Sequence, residues 1–164
     1  MSAEDMVLGP RGLRLMGETY PCAIGRGGIR SDKREGDGAT PRGVHRIIGL
    51  LYRPDRMVKP APWAIPIRIG DLWCDAPDDP AYNSLVRAPF SASHEDLRRA
   101  DPLYDLVMLT DWNWPEARSG AGSAIFLHQW RRARFPTEGC LAFSRRDIAR
   151  IAARAVPGTR LIIR

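Results

Sequence analysis

No stretch of this chain approaches the ~20 consecutive apolar residues that a membrane-crossing helix needs, so no membrane span is expected. The N-terminal MSAEDMVLGPRGLRLMGE has acidic residues early and no apolar core of signal-peptide length, so no export signal is visible. Cysteine is scarce: Cys22, Cys74 and Cys140 stand far apart, with no CxxC pair of the kind that holds a metal. Cys22 and Cys74 read as small buried hydrophobes; a disulfide between them would leave Cys140 free, and nothing in the sequence brings them together. Internal repeats, low-complexity blocks and disordered tails are absent. Lysine is nearly absent too, so the net charge of +6 is carried almost entirely by arginine. Those arginines are spread along the chain and do not alternate with aromatics in a binding motif, so no nucleic-acid partner is expected.

What is present fits one globular domain over residues 1–164, with an ordinary apolar fraction of 44% and a charged fraction of 27%. Fourteen prolines and fifteen glycines favour short strands and ordered loops over a helical bundle. Leu13 to Ile24 reads as a hairpin turning at Gly17-Glu18, with Pro21 confining its second strand to an edge or a bulge. Gly25 to Gly43 is a long, polar, glycine-rich loop, and a loop of that length is usually functional or packed on itself. Val44–Tyr52 and Tyr104–Thr110 read as strands, and Ala64–Ile69 as a short extended segment. Asp71–Pro89 reads as loop, and Asp96–Arg99 as one helical turn with Ser93 as its N-cap. Arg145–Ala155 is the one convincing helix: Ser144 caps it, Asp147 sits at its third position, and Ile148, Ile151, Ala152 and Ala155 form an apolar stripe. Pro157-Gly158 stops it, and Thr159–Ile163 is a final strand. The expected fold is mainly β with one packed α-helix.

The chemistry concentrates between Ser123 and Phe143. An apolar run, Ala124-Ile125-Phe126-Leu127, ends on His128; a basic, aromatic loop follows; Pro136-Thr137-Glu138-Gly139 then turns onto Cys140, where the apolar pattern resumes. A thiol attacks as its thiolate and needs a proton acceptor beside it. Cys140 as nucleophile and His128 as base are the candidates, on the expectation that the two strand ends meet at one sheet edge. Gly139 permits a backbone conformation that aims amides at a substrate carbonyl oxygen. On spacing alone, Cys140 as a buried filler in a non-catalytic binding module stays open beside this reading. His94 reads as an exposed or capping residue and His45 as structural. Tyr104, Trp112 and Trp114 stand as cleft wall or packing, and Arg131, Arg132 and Arg134 as anion contacts or a solvated loop face.

The segment IFLHQWRRARFPTEGCLAF resembles the active-site signature of the L,D-transpeptidase catalytic domain, the YkuD-type family. There a histidine ends a strand and a loop leads to a Ser/Thr-x-Gly-Cys turn. Ile125–His128 resembles the first part and Thr137-Glu138-Gly139-Cys140 the second. Upstream, Gly36-Asp37-Gly38-Ala39-Thr40-Pro41-Arg42-Gly43 resembles the family's Thr-Pro turn. The resemblance covers roughly Leu13 to the C-terminus and implies a catalytic-domain β-sandwich that uses no cofactor and no metal. It implies acyl transfer on peptidoglycan stem peptides, in cell-wall biogenesis and cell shape. Cys140 would carry a thioester, His128 would be the general base, and amides at Gly139 and Cys140 would bind the oxyanion. Thr137, Glu138, Arg134 and Trp130 would support the site or bind substrate, and carbapenem β-lactams would be inhibitors. L,D-carboxypeptidase or another cysteine amidohydrolase activity, and a module binding cell-wall peptide or a polyanion, are the alternatives. The implied compartment is the periplasm or cell envelope; the lack of a visible leader leaves the cytoplasm as the other option. Glu138 stands where the common motif has histidine, Leu141-Ala142 replaces a more polar step, and the His-to-Cys loop is short. These departures identify a divergent subgroup.

Overall fold

The computed structural model describes residue 2 and residues 4–164. The chain begins with β1 (Met6–Gly9), a strand the sequence reading does not assign. β2 (Gly12–Leu15) and β3 (Glu18–Tyr20) form the expected hairpin. Its two-residue turn is Met16-Gly17, both at positive φ (47° and 80°), the backbone that matches the twist of paired strands. Pro21, with no N–H to give a ladder, separates β3 from β4 (Cys22–Ala23). Inside the long polar loop, β5 (Ile29–Arg30) and β6 (Thr40–Pro41) pair in parallel. β7 (Gly43–Tyr52) is ten residues long, and β8 (Ile65–Pro66) pairs with its C-terminal end.

Two expectations fail in the next segment. Asp71–Pro89 contains β9 (Asp71–Cys74) and β10 (Leu85–Arg87), and the expected helical turn near Ser93 is replaced by β11 (His94–Asp96). A single helical turn does not pay for its own nucleation, whereas β11 gains a ladder with β9, Glu95 facing Trp73. A short 3₁₀ turn, Pro102–Tyr104, leads into β12 (Leu106–Thr110). β13 (Phe126–Gln129), β14 (Leu141–Phe143), α1 (Arg145–Arg154) and β15 (Arg160–Ile163) complete the chain close to their expected positions.

The main sheet runs β3-β2-β1-β15-β7-β12-β13-β14-β4, with β8 beside β7. Its terminal strands, β3 and β4, are joined through Pro21 alone, so the sheet curls until it is nearly closed. β10, β9 and β11 form a smaller sheet over one face. Two cores follow from strand alternation. Leu127, Leu141, Phe143 and Met108 point to one side, where α1 seats Ile148, Ile151 and Ala152. Phe126, Val107 and Cys140 point to the other and meet Trp73 and Leu97 at the small sheet. The Trp73 and Phe126 rings meet edge to face at 5.1 Å. This is the expected mainly β sandwich with one α-helix. Ser144 Oγ accepts the Asp147 N–H at 3.0 Å to start that helix. Arg154 anchors its far end by pairing with Glu18 on β3 at 2.7 Å.

Candidate active site

β13 and β14 are parallel neighbours in register Leu127↔Leu141 and His128↔Ala142. A parallel pair needs a crossover, here residues 130–140, and it places the start of β14 beside the start of β13. Cys140, the residue before β14, therefore lies beside Phe126. His128, at the end of β13, lies diagonally from it on the same face. The pairing differs from two strand ends meeting at one edge: thiol and imidazole share a face and a cleft, offset by two residues along the strands.

The turn before Cys140 is clamped from two sides. Thr137 Oγ1 donates to the Cys140 carbonyl at 2.6 Å and accepts the Gly139 N–H at 3.2 Å. Thr40, from the Thr-Pro element, is fully buried; its hydroxyl accepts the Gly25 N–H and donates to the Gly139 carbonyl, both at 2.9 Å. Gly139 has φ +140°, and a Cβ there would lie 2.8 Å from the Ala39 carbonyl oxygen, so the position admits only glycine without strain. The backbone around Gly25 completes the clamp: Thr137 N–H donates to Ile24 O and Arg26 N–H to Thr137 O. Glu138 holds Arg26 with both carboxylate oxygens at 2.9 Å on the exposed rim. In a planar trans peptide the carbonyl and the following N–H point opposite ways. Fixing the Gly139 carbonyl on Thr40 thus aims the Cys140 N–H away from that brace.

The sulfur is held by the strand opposite. Cys140 Sγ donates to the Ala124 carbonyl at 3.0 Å and accepts the Phe126 N–H at 3.4 Å. Ala124 reaches that position with φ +50°, uncommon for a residue with a side chain. Asn83 helps to fix it: Oδ1 accepts the Ala124 N–H at 3.0 Å and the Trp73 indole N–H at 3.1 Å, while Nδ2 donates to the carbonyls of Trp112 and Asn113. Sequence reasoning missed Asn83, whose only signal was its place in a proline-bearing acidic loop.

His128 is buried, its ring edge-on to Tyr104 at 5.3 Å. Its Nδ1 lies 2.7 Å from the Gln129 carbonyl, which can only accept, so Nδ1 carries the hydrogen and Nε2 keeps its lone pair. Burial lowers the imidazole pKa to about 4 and raises the Cys140 thiol to about 12, the Phe126 N–H pulling the thiol slightly back. Both groups are therefore neutral at rest. Tyr104 donates to Glu95 at 3.2 Å, and burial holds its hydroxyl well above the ordinary tyrosine range, with Cys140 and Glu95 adding to the effect.

These residues line a cleft of about 350 Å³. Trp130, Thr137 and Glu138 join Cys140 and His128 in its wall, and Glu35, Asp75 and Glu95 form an acidic side. Arg134 does not belong to it. With φ +58° it turns to a separate, larger cavity of about 1030 Å³ beside Cys22 and Ile24. His94 is exposed, bound to the Ala92 carbonyl, and His45 packs edge-on against Trp112. Cys22 and Cys74 are free thiols on different sheets.

Among known proteins, the family model of the YkuD L,D-transpeptidase catalytic domain matches residues 6–163. No curated protein and no solved structure matches the chain.

Thr40→Val keeps the shape of the brace but orphans two backbone groups, which costs about 1–3 kcal/mol for each buried group left unsatisfied. Urea denaturation should show that loss; unchanged stability would mean the clamp is redundant. The His128 shift gives a pH signature. Unfolded, the imidazole binds its proton near 6.5; folded, near 4. Above pH 6.5 this group costs nothing, and from there down to about 4 the unfolded state gains a proton that the folded state refuses. Wild type should therefore lose ~1.4 kcal/mol per pH unit in that window relative to His128→Gln. Parallel stability curves for the two proteins would contradict the buried neutral imidazole.

Proposed function

The chain belongs to the L,D-transpeptidase catalytic-domain family, and we propose that it transfers the acyl group of a peptidoglycan stem peptide through a thioester on Cys140. One observation carries the reading: Cys140 leaves a turn clamped by Thr40 and Thr137, into a cleft it shares with the free Nε2 face of a neutral imidazole.

Because thiol and imidazole are both neutral at rest, the proton moves as the bond forms. Sγ releases the Ala124 carbonyl and attacks the donor carbonyl carbon while its proton passes to His128 Nε2. The Cys140 N–H, aimed away from the Thr40 brace, receives the oxyanion; the Gly139 N–H is already engaged by Thr137 and is the weaker donor. The carbon–nitrogen bond then breaks, the amine leaves with the proton from His128, and a thioester remains. A second amine attacks that thioester, its proton passes through His128 to the leaving sulfur, and a new amide is released. Water in place of the amine gives carboxypeptidation. Trp130 and Thr137 border the acyl chain, and Glu138, paired with Arg26, closes the rim where the common motif has histidine.

A thiol with its pKa near 12 reacts slowly with general alkylating agents, whereas a β-lactam seated in the cleft acquires the same proton path as substrate. Intact mass after carbapenem treatment should show one adduct on wild type and none on Cys140→Ala. His128→Gln should slow acylation by about 10²–10⁴-fold at unchanged folded fraction. Absence of an adduct on folded wild type would favour a non-catalytic binding module.

A further inference from the structure

The loop from His128 to Cys140 lines two openings. One is the cleft described above; the other is the larger cavity of about 1030 Å³, which no step of the proposed mechanism uses. That volume matches the upper end of small-molecule sites, roughly 300–1,000 Å³. Its wall is assembled from segments far apart in sequence: β1 and the turn after it, the start of β4, β5, the His-to-Cys loop and the residue after β15.

The lining is apolar. Leu8 belongs to the core that α1 covers, and Cys22, Ile24 and Ile29 pack against that same core. The charge is of one sign: Arg11, Arg134 and Arg164 line the cavity, and among the described residues no aspartate or glutamate does. Arg164 already has a partner. Arg11, on the turn between β1 and β2, and Arg134 are exposed, and neither has a hydrogen-bond or ion-pair partner among the described residues. Arg134 also holds φ +58°. Such backbone is uncommon for a residue with a side chain and concentrates where ligands are held. Apolar walls beside two unpaired guanidinium groups complement an anion that carries an apolar tail, and a guanidinium takes a carboxylate through two parallel hydrogen bonds. The most exposed large apolar side chains, Val58, Ile65 and Ile69 among them, do not line this cavity. It therefore lacks the apolar collar that sinks into a bilayer, and one molecule entering the cavity fits better than a membrane surface.

We propose that this cavity binds one single-chain amphiphile with a carboxylate head, of the fatty-acid class. Arg11 and Arg134 take the carboxylate, and the tail lies along Cys22, Ile24 and Ile29. The site asks nothing of Cys140, so it stands or falls apart from the thioester reading. It shares a wall with the clamped turn, because Ile24, which lines the cavity, accepts the Thr137 N–H through its carbonyl.

Calorimetry on the intact wild-type chain, with decanoate kept below its aggregation concentration, should show saturation at one molecule per protein. Decyltrimethylammonium, the same tail with the opposite charge, should bind at least about 10-fold more weakly, and acetate, the head without the tail, should give no measurable heat. Arg11→Gln and Arg134→Gln should each weaken decanoate binding about 10-fold, the low end for a hydrogen bond to a charged group. Both side chains are exposed, so the variants should keep the wild-type folded fraction. Arg14→Gln, at an exposed arginine of β2 outside the cavity wall, should change nothing. Arg11→Glu combined with Arg134→Glu should turn the preference towards decyltrimethylammonium. To place the tail, Cys22 alkylation is followed on Cys140→Ala at alkaline pH, since burial raises the Cys22 thiol to about 11. Decanoate should slow labelling of Cys22 and leave Cys74 unchanged. Equal binding of the two amphiphiles, indifference to both arginines, or equal effects on Cys22 and Cys74 would overturn the assignment. Binding to phosphatidylglycerol vesicles with none to monomeric decanoate would overturn it as well.

Discussion

A single buried hydroxyl ties this protein's active-site candidates to its fold. Thr40 accepts the Gly25 N–H and donates to the Gly139 carbonyl, which lies ninety-nine residues further along the chain. The long polar loop, the edge of the nearly closed sheet and the turn before the cysteine are held in one arrangement by that contact. Glycine is required on both sides of it: at Gly25 an added Cβ would fall 2.2 Å from the Gly38 carbonyl oxygen, and at Gly139 it would meet Ala39. The backbones pack too closely for side chains, and the exact direction of the Gly139–Cys140 peptide follows from that closeness. What the Thr-Pro element does here is brace the turn before Cys140 from below.

Burial sets the second constraint. The low-dielectric interior pushes the thiol pKa up and the imidazole pKa down, so the resting pair carries no charge. A charge-separated pair would need compensation that the surrounding residues do not supply: the sulfur's partners are the Ala124 carbonyl and the Phe126 N–H, and the imidazole's is the Gln129 carbonyl. In the proposed mechanism the chemistry is thereby coupled to substrate binding, because only a bound carbonyl gives the transferred charge a place to settle. The small sheet contributes as well. Its Trp73 and Leu97 seal the core beneath the cleft while Glu95 and Asp75 make the cleft negative on one side. Cys140 beside the main sheet and Glu95 on the small sheet face one cleft because different sheets present them.

Elements whose own sequence determines their form were legible. The helix announces itself through Ser144 and the Ile148–Ile151–Ala152 stripe, and the first hairpin through its alternation and glycine, although its turn is Met16-Gly17 and Glu18, expected in the turn, already belongs to β3. Cys140, His128 and the Thr137–Gly139 turn stood out because a thiol, an imidazole and a backbone that must bend are particular residue types, and the three share one neighbourhood in the fold. Features set by partners were not. β9 and β11 are strands because they pair with each other, and nothing local in DLWC or HED demands it. Asn83 looks like any loop asparagine until Trp73, Ala124, Trp112 and Asn113 surround it. Arg134, grouped by sequence with the site, lines the separate cavity beside Cys22 instead. The offset between His128 and Cys140 depends on parallel pairing, which the residues between them do not encode.

The central claim is that Cys140 alone among the three thiols becomes acylated by a stem-peptide donor. The most direct measurement is acid quenching of the wild-type protein during turnover, proteolysis, and tandem mass spectrometry of the cysteine-containing peptides. The account predicts an adduct on the peptide containing Cys140, with the mass of the donor minus its leaving amine, and unmodified Cys22 and Cys74. An adduct on Cys22 or Cys74, or none during measurable turnover, would contradict it.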